Sequence, residues 1–238
     1  MAPPKKKTSF TLSDQFEELL PEIEDEILEI YSDLVDDEEQ DLYLNQLPQI
    51  FQTLRIPNCF SKDIIHCVDY YYGFIKDKNV QIDPMNKRQS NTINMIHAYT
   101  ISSSNIKDIG SIIDIIDIDK LLRNLNRLIK FRNNYKHILA SWKLFVTSAN
   151  NGKPTMTTSS LESYQLTFPD LKQIKTNLNL DADPATKTPL SDSFLIDMLG
   201  CCSTDRDGYL LNFDFDKHGA CVTIKDFAAV LGNIGELN

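Results

Sequence analysis

The residues with the clearest chemical potential lie near the C-terminus. Asp205-Arg206-Asp207-Gly208 and Asp214-Phe215-Asp216-Lys217-His218-Gly219 are two short acidic loops in one stretch. Carboxylates at close spacing with an intervening glycine are the material of a calcium loop. Such a loop needs oxygen ligands at fixed offsets, Gly at the sixth position and a bidentate Glu at the twelfth. Two thiol–imidazole pairs come next, Cys221 with His218 and Cys67 with His66. A nucleophilic cysteine needs a depressed pKa and a fixed base. Neighbouring residues on a strand point to opposite faces, and no oxyanion site accompanies either pair. Catalysis is therefore not expected. Eight glycines in 238 residues leave little room for a phosphate-cradling loop.

The bulk numbers narrow the class. At 42% hydrophobic the chain can bury a core, and its length suits one or two domains. No apolar run approaches the roughly 18 residues of a membrane span. A net charge of -10 opposes general duplex binding and favours a basic partner. The expectation is thus no direct contact with nucleic acid and none with membrane. The five cysteines, Cys59, Cys67, Cys201, Cys202 and Cys221, show no paired spacing, which fits reduced thiols. No zinc spacing is present, so no metal or cofactor is expected. Residues 1–12, with Lys5-Lys6-Lys7, read as a disordered basic tail compatible with nuclear import.

The elements that must position any site are helical. Ser13 is placed to cap a short first piece, and Pro21 to restart a helix carrying Ile23, Ile27, Leu28, Tyr31 and Leu34. Leu42-Tyr43-Leu44 reads as a brief strand, with Asn45 capping a helix that stops before Pro57. Ser61 is placed to cap a helix running through Ile75. The polar stretch 76–110 reads as an insertion with a short helix near Ile93 to Tyr99. Residues 112–118 are β-branched and strand-like, and Asp119 is placed to cap a helix from Lys120 to Phe131. In the second half, Tyr135 to Val146 is one helical face, and 148–163 is a loop. Tyr164-Gln165-Leu166-Thr167 is a strand before a helix with Leu171, Ile174 and Leu178. Residues 181–189 form a linker, and Ser191 caps a helix with Phe194 and Met198. Cys221-Val222-Thr223-Ile224 is a last strand, and Lys225-Asp226-Phe227 opens a last helix.

Four units of helix, loop, short strand and helix result. This is the grammar of the EF-hand. With each strand centre at the eighth loop position, the twelfth positions are Gln46, Lys120, Asp170 and Asp226, none of them Glu. The first positions are Val35, Ile109, Ser159 and Phe215. These loops lack the carboxylates that calcium needs. A second register sets Ser203, Asp205, Asp207, Gly208 and Asp214 at positions one, three, five, six and twelve. There Lys217-His218-Gly219 is turn chemistry where a helix should follow. The frame is kept and the ligands are not. A plain α-helical domain is the alternative.

Three stretches carry a resemblance: residues 23–31 continuing through 44–51, the C-terminal residues 226–235, and the weaker Ile116-Asp117-Ile118-Asp119-Lys120-Leu121. In these the chain resembles the fungal nucleotide-excision-repair accessory family that binds the yeast counterpart of the damage sensor XPC. That family is a diverged relative of centrin and calmodulin. The resemblance implies a mainly α, calmodulin/centrin-like fold of two lobes, each pairing degenerate EF-hand-like units with short strands in the loops. The lobes would be 13–132, with the insertion at 76–110, and 133–238. It also implies a calcium-independent, nuclear protein, with the cytoplasm as a second compartment. Such a protein would be a monomer before binding an apolar helix of the XPC-like protein. Trp142, Phe145, Leu171, Ile174, Phe194, Met198, Phe227 and Leu231 are the candidate lining of that groove. The rival reading is a calcium-responsive, centrin-like sensor of cytoskeletal or nuclear-pore structures.

Overall fold

A computed structural model describes residues 16–35, 41–77, 81–103, 106, 108–151, 157–179, 191–201, 210–217 and 219–237. The protein is mainly helical. In chain order the helices are α1 Pro21–Leu34, α2 Leu47–Thr53, α3 Asn58–Tyr70, α4 Lys87–Tyr99 and α5 Ile118–Asn133. Then follow α6 Tyr135–Ala149, α7 Thr158–Glu162, α8 Phe168–Asn177, α9 Asp192–Cys201 and α10 Ile224–Asn233. None of the described helices is long and apolar enough to cross a membrane.

The ends of these helices follow local chemistry. Pro21 opens α1, where its missing N–H costs nothing, and Glu22 and Glu24 face the positive end of the dipole. Thr167 with Asp170, and Thr223 with Asp226, form reciprocal capping boxes at α8 and α10. Asp117, and not Asp119, caps α5 by accepting the Lys120 N–H at 3.1 Å. Asn45 caps nothing: it lies in a 3-10 turn, Leu44–Gln46, ahead of α2. Ser61 lies inside α3 and is buried, because the cap falls at Pro57, four residues earlier than hydroxyl chemistry suggests. The six residues Tyr71–Lys76 continue α3 as a π-helix.

Two expectations need correction. Strands are reduced to isolated bridges, Tyr43↔Ile115, Thr100↔Ile116 and Leu166↔Val222, all antiparallel. Each expected strand is cut short by the helix that opens just after it. In the stretch 76–110 the short helix expected near Ile93 to Tyr99 is the end of α4, a helix of 13 residues that starts at Lys87 and packs against α3 and α5. Met95, Ile96 and Tyr99 are fully buried there, and Thr100 bridges to Ile116. The expected Ser13 cap and the 181–189 linker lie outside the described residues, while Phe16 and Glu17 form a turn.

One apolar core runs through both halves of the chain, from Phe16 to Leu237. Its central rod is α5, which packs against α1, α3, α4 and α6. Polar groups of α5 are buried as well. Lys130 donates to the carbonyls of Phe16 and Glu18 at 2.9 and 2.7 Å, and Arg127 pairs with Glu17 at 2.9 Å. These bonds pin the segment before α1. They deliver the Phe16 ring onto Phe131, 5.8 Å away, and onto Gly232 of α10.

Candidate functional site

The loops meet in two antiparallel pairs. In the first, Leu44 N–H donates to Asp114 O and Ile116 N–H to Leu42 O, both at 2.8 Å. In the second, Leu166 and Val222 exchange both backbone bonds at 2.9 Å. The four residues in the twelfth position of the sequence register stand directly after these bridges, at the mouths of α2, α5, α8 and α10.

Each of the four is committed to bonds within the chain. Gln46 Oε1 accepts the Tyr43 N–H at 2.7 Å. Asp170 Oδ2 accepts the Thr167 N–H at 2.8 Å and its hydroxyl at 2.7 Å. Asp226 is fully buried and carries the densest set. Its Oδ2 accepts the Thr223 N–H and hydroxyl, at 2.8 and 2.9 Å, and the Lys217 ammonium at 2.7 Å. Its Oδ1 accepts Asn212 Nδ2 at 3.1 Å. Lys120 departs from the pattern. Its ammonium donates to the carbonyls of His97 and Thr100, at 2.9 and 2.6 Å. Burial pushes the Lys120 pKa down, and Asp117 opposes that shift. At α10 the acceptor thus already holds a protein ammonium group, and at α5 the mouth residue is itself an ammonium bound to carbonyls at the end of α4. Among the described residues no group of three or more His, Cys, Asp or Glu is arranged to hold a metal ion. The Ser203 to Asp214 register lies mostly outside the described residues. Its described end, Asp214, accepts the Asp216 N–H at 2.8 Å in a local turn.

The candidate groove residues divide by depth. Trp142 is fully buried, donates from Nε1 to Leu161 O at 2.7 Å, and packs 5.4 Å from the Phe227 ring. Ile174 and Leu231 are buried. Phe145, Leu171 and Phe227 are half-buried, and Phe145 meets Phe227 edge-on at 5.2 Å. Helices α8 and α10, which carry Leu171, Ile174, Phe227 and Leu231, both pack on α6. The structure therefore joins Trp142, Phe145 and Phe227 in one cluster. The side chains of Phe194 and Met198 lie outside the described set.

Of the two thiol–imidazole pairs, His218 beside Cys221 lies outside the described residues. Cys67 is buried and donates to Phe213 O at 3.7 Å. Burial pushes the Cys67 thiol up to about 12, with Asp63 adding to it, and burial pushes Cys59 to about 12 as well. Cys221 is also raised, chiefly by burial.

Sequence reasoning missed a buried ion pair that helps tie the two halves together. Lys225, at the mouth of α10, donates to both oxygens of Asp63 on α3, at 2.8 and 2.7 Å. Each side chain is 6% exposed. Asp63 Oδ2 also accepts the Phe213 N–H at 2.8 Å. An acid and a base 162 residues apart leave no periodic signal. A Thr-x-x-Asp pattern at 167–170 and 223–226, by contrast, is readable in the sequence.

Fold and site together define a helical protein built from bridged, capped helix–loop–helix units whose loop acceptors are filled from within. Comparison with known proteins then gives the family. The Rad33 family model matches residues 13–183, well over half of the chain, and the chain belongs to the Rad33 family, with its role in nucleotide excision repair. No curated protein and no solved structure matches it.

Proposed function

We propose that the chain is a non-catalytic adaptor of nucleotide excision repair, acting in the nucleus. In this reading it binds an apolar helix of the XPC-like damage-recognition protein, without calcium, and stabilises or assists that protein. The loop pairs are taken as diverged EF-hand pairs of a calmodulin/centrin-like frame. One observation carries the calcium-independent part: Lys217 sits on the Asp226 carboxylate, while Lys120 puts its ammonium on the His97 and Thr100 carbonyls at the end of α4. A calcium ion would have to displace the ammonium already neutralising that carboxylate, at a cost in desolvation and repulsion.

The half-buried faces of Phe145, Leu171 and Phe227 support the helix-binding part. EF-hand-type pairs take a partner's amphipathic helix between their own helices. The high pKa values of Cys59 and Cys67 support a non-catalytic role, since neither thiol is ionised near pH 7.

The test is Trp142 fluorescence during titration with peptides covering the apolar helices of the XPC-like protein, in calcium and then in chelator. Trp142 touches Phe227, so insertion beside that ring alters its emission. Saturable binding of equal strength in both conditions is expected. Binding only with calcium would replace this reading with the sensor. No binding in either condition, checked by calorimetry, would remove the adaptor role.

A further inference from the structure

Residues 16–20, ahead of α1, form a turn and then irregular chain, yet buried polar groups of α5 hold them. Lys130, fully buried, spends its ammonium on the Phe16 and Glu18 carbonyls. Arg127 is buried too and pairs with Glu17. Asn126 Nδ2 reaches the Glu17 and Glu18 carbonyls at 3.4 and 3.3 Å. Its buried Oδ1 has no partner among the described residues, so the seat is incompletely satisfied. The Phe16 ring stacks on Phe131 and lies against the backbone of α10 at Gly232, where a Cβ would leave no room for it. Polar bonds thus tie this strap to α5, and the ring carries the contact on to α10.

Helix α10 has a second, separate contact face. Phe227 meets Trp142 and Phe145 of α6 with ring centroids 5.4 and 5.2 Å apart. Phe227 and Gly232 are five positions apart, about 140° around the helix, so the strap and α6 bear on different sides. The first turn of α10 is fixed by charge, with Lys225 on Asp63 and Lys217 on Asp226. The last turn, Val230 to Asn233, carries no ionisable side chain. It is held by the Phe16 ring at Gly232, and the chain beyond it returns to the core at Leu237. A partner helix entering beside Phe227 must part that ring from Phe145 and Trp142. The movement open to α10 is a swing of its last turn about its charged first turn, and the Phe16 seat opposes that swing.

We propose that the strap is a latch on the groove: seated Phe16 keeps α10 closed against α6, and the partner helix binds at the expense of that contact. The latch rests on the groove beside Phe227 being the adaptor's binding site, and adds its regulation. A chain that must open before it binds shows an affinity reduced by the fraction already open, so releasing the strap raises affinity.

The test uses the full chain and the XPC-like peptide that titrates Trp142 in the wild type. Phe16→Ala should tighten that peptide about three- to tenfold. Gly232→Ala, which forces the ring off its seat and leaves the polar bonds of the strap in place, should also tighten it. Ile27→Ala, which opens a cavity in α1 away from the strap, should leave the affinity unchanged and so separates release of α10 from a general loss of stability. Without peptide, the Leu231 and Gly232 amides should exchange several-fold faster in Phe16→Ala. Wild-type binding that Phe16→Ala leaves equal or weaker would overturn the latch and leave the adaptor standing. Unchanged exchange at Leu231 and Gly232 would overturn it as well. A peptide that binds neither protein would remove the adaptor, and the latch with it.

Discussion

In the first loop pair the residues at the helix mouths are Gln46 and Lys120; in the second they are Asp170 and Asp226. Both pairs close by antiparallel backbone bonds of the same kind. The first contains no carboxylate at either mouth position. Its cap at α5 passes to Asp117, which frees Lys120 to reach across to the end of α4. The second keeps both carboxylates and uses them as caps, with Lys217 of the same loop cancelling the charge on Asp226. The difference separates two duties of a residue at a helix mouth. Capping the helix needs an acceptor near the first turn, and any of Gln, Asp or a neighbouring Asp will serve. Neutralising a buried carboxylate is the other duty, and at Asp226 a lysine of the same loop performs it.

The strongest test of how the second pair is held concerns its anchor to α3. Asp63→Ala leaves Lys225 charged and buried without a partner, and should cost about 3–5 kcal/mol in urea unfolding. Asp63→Leu combined with Lys225→Met should recover most of that, since an apolar pair avoids the desolvation penalty. Hydrogen exchange should show the loss first at Leu166 and Val222, with Leu44 and Ile116 more protected. Equal losses in the two pairs would mean that Asp63–Lys225 does not serve the second pair in particular.

The caps give the next contrast. Asp226→Ala strips Thr223, Asn212 and the Lys217 ammonium of one shared acceptor. A loss of about 3 kcal/mol is expected, because a charged group is left unsatisfied. Gln46→Ala removes one neutral bond to Tyr43 and should cost about 1 kcal/mol. If the two substitutions proved equal, the assignment of Lys217 as an internal counter-ion would fail.

A smaller effect is expected where the segment before α1 meets α10. A Cβ on Gly232 would lie 2.5 Å from three carbons of the Phe16 ring, inside any real contact distance. Gly232→Ala must therefore push the ring from its stack on Phe131. Overpacking of this kind costs about 1–3 kcal/mol, partly offset by the better helix propensity of alanine. Phe16→Ala added to Gly232→Ala should cost less than the sum of the two single changes, since the clash is then gone.

Most helices were legible because their determinants are local. Pro21 with its acidic first turn, the apolar face from Tyr135 to Val146, and Thr223-x-x-Asp226 all act within one or two turns. What was hidden depends on distant partners. Helix α4 reads as a polar insertion because Gln89 and Thr92 are buried beside Met95 and Tyr99, which breaks the apolar stripe. The strand-like runs are real pairing sites, but the helices that follow them leave room for one bridge each. Asp63 looks like an ordinary polar position on α3 until Lys225 is beside it. At the candidate groove, helical spacing put Trp142 and Phe145 on one face of α6, and the Phe227 ring that packs on both comes from α10. Spacing could not tell that Trp142 is sealed in the core while the two phenylalanines reach the surface.

The smallest effect is invisible at neutral pH. Cys67 lies on α3 and its thiol is pushed up to about 12 from a model-compound value of 9.0, chiefly by burial. Above pH 9 the unfolded chain gives up a proton that the folded chain still holds. Stability must then fall as pH rises from about 9 toward 12. Cys59 and Tyr71, both pushed up to about 12 by burial, act with the same sign, Tyr71 from about pH 10. Cys67→Ala should leave the pH 7 slope unchanged and reduce the alkaline loss in urea midpoints. Cys221, in the second loop pair, is raised less plainly, because Lys217 opposes the effect of burial. Cys221→Ala should therefore flatten the alkaline limb less than Cys67→Ala. If the order were reversed, the drier thiol environment would belong to the second loop pair, and the seam between α3 and Phe213 would have to admit water.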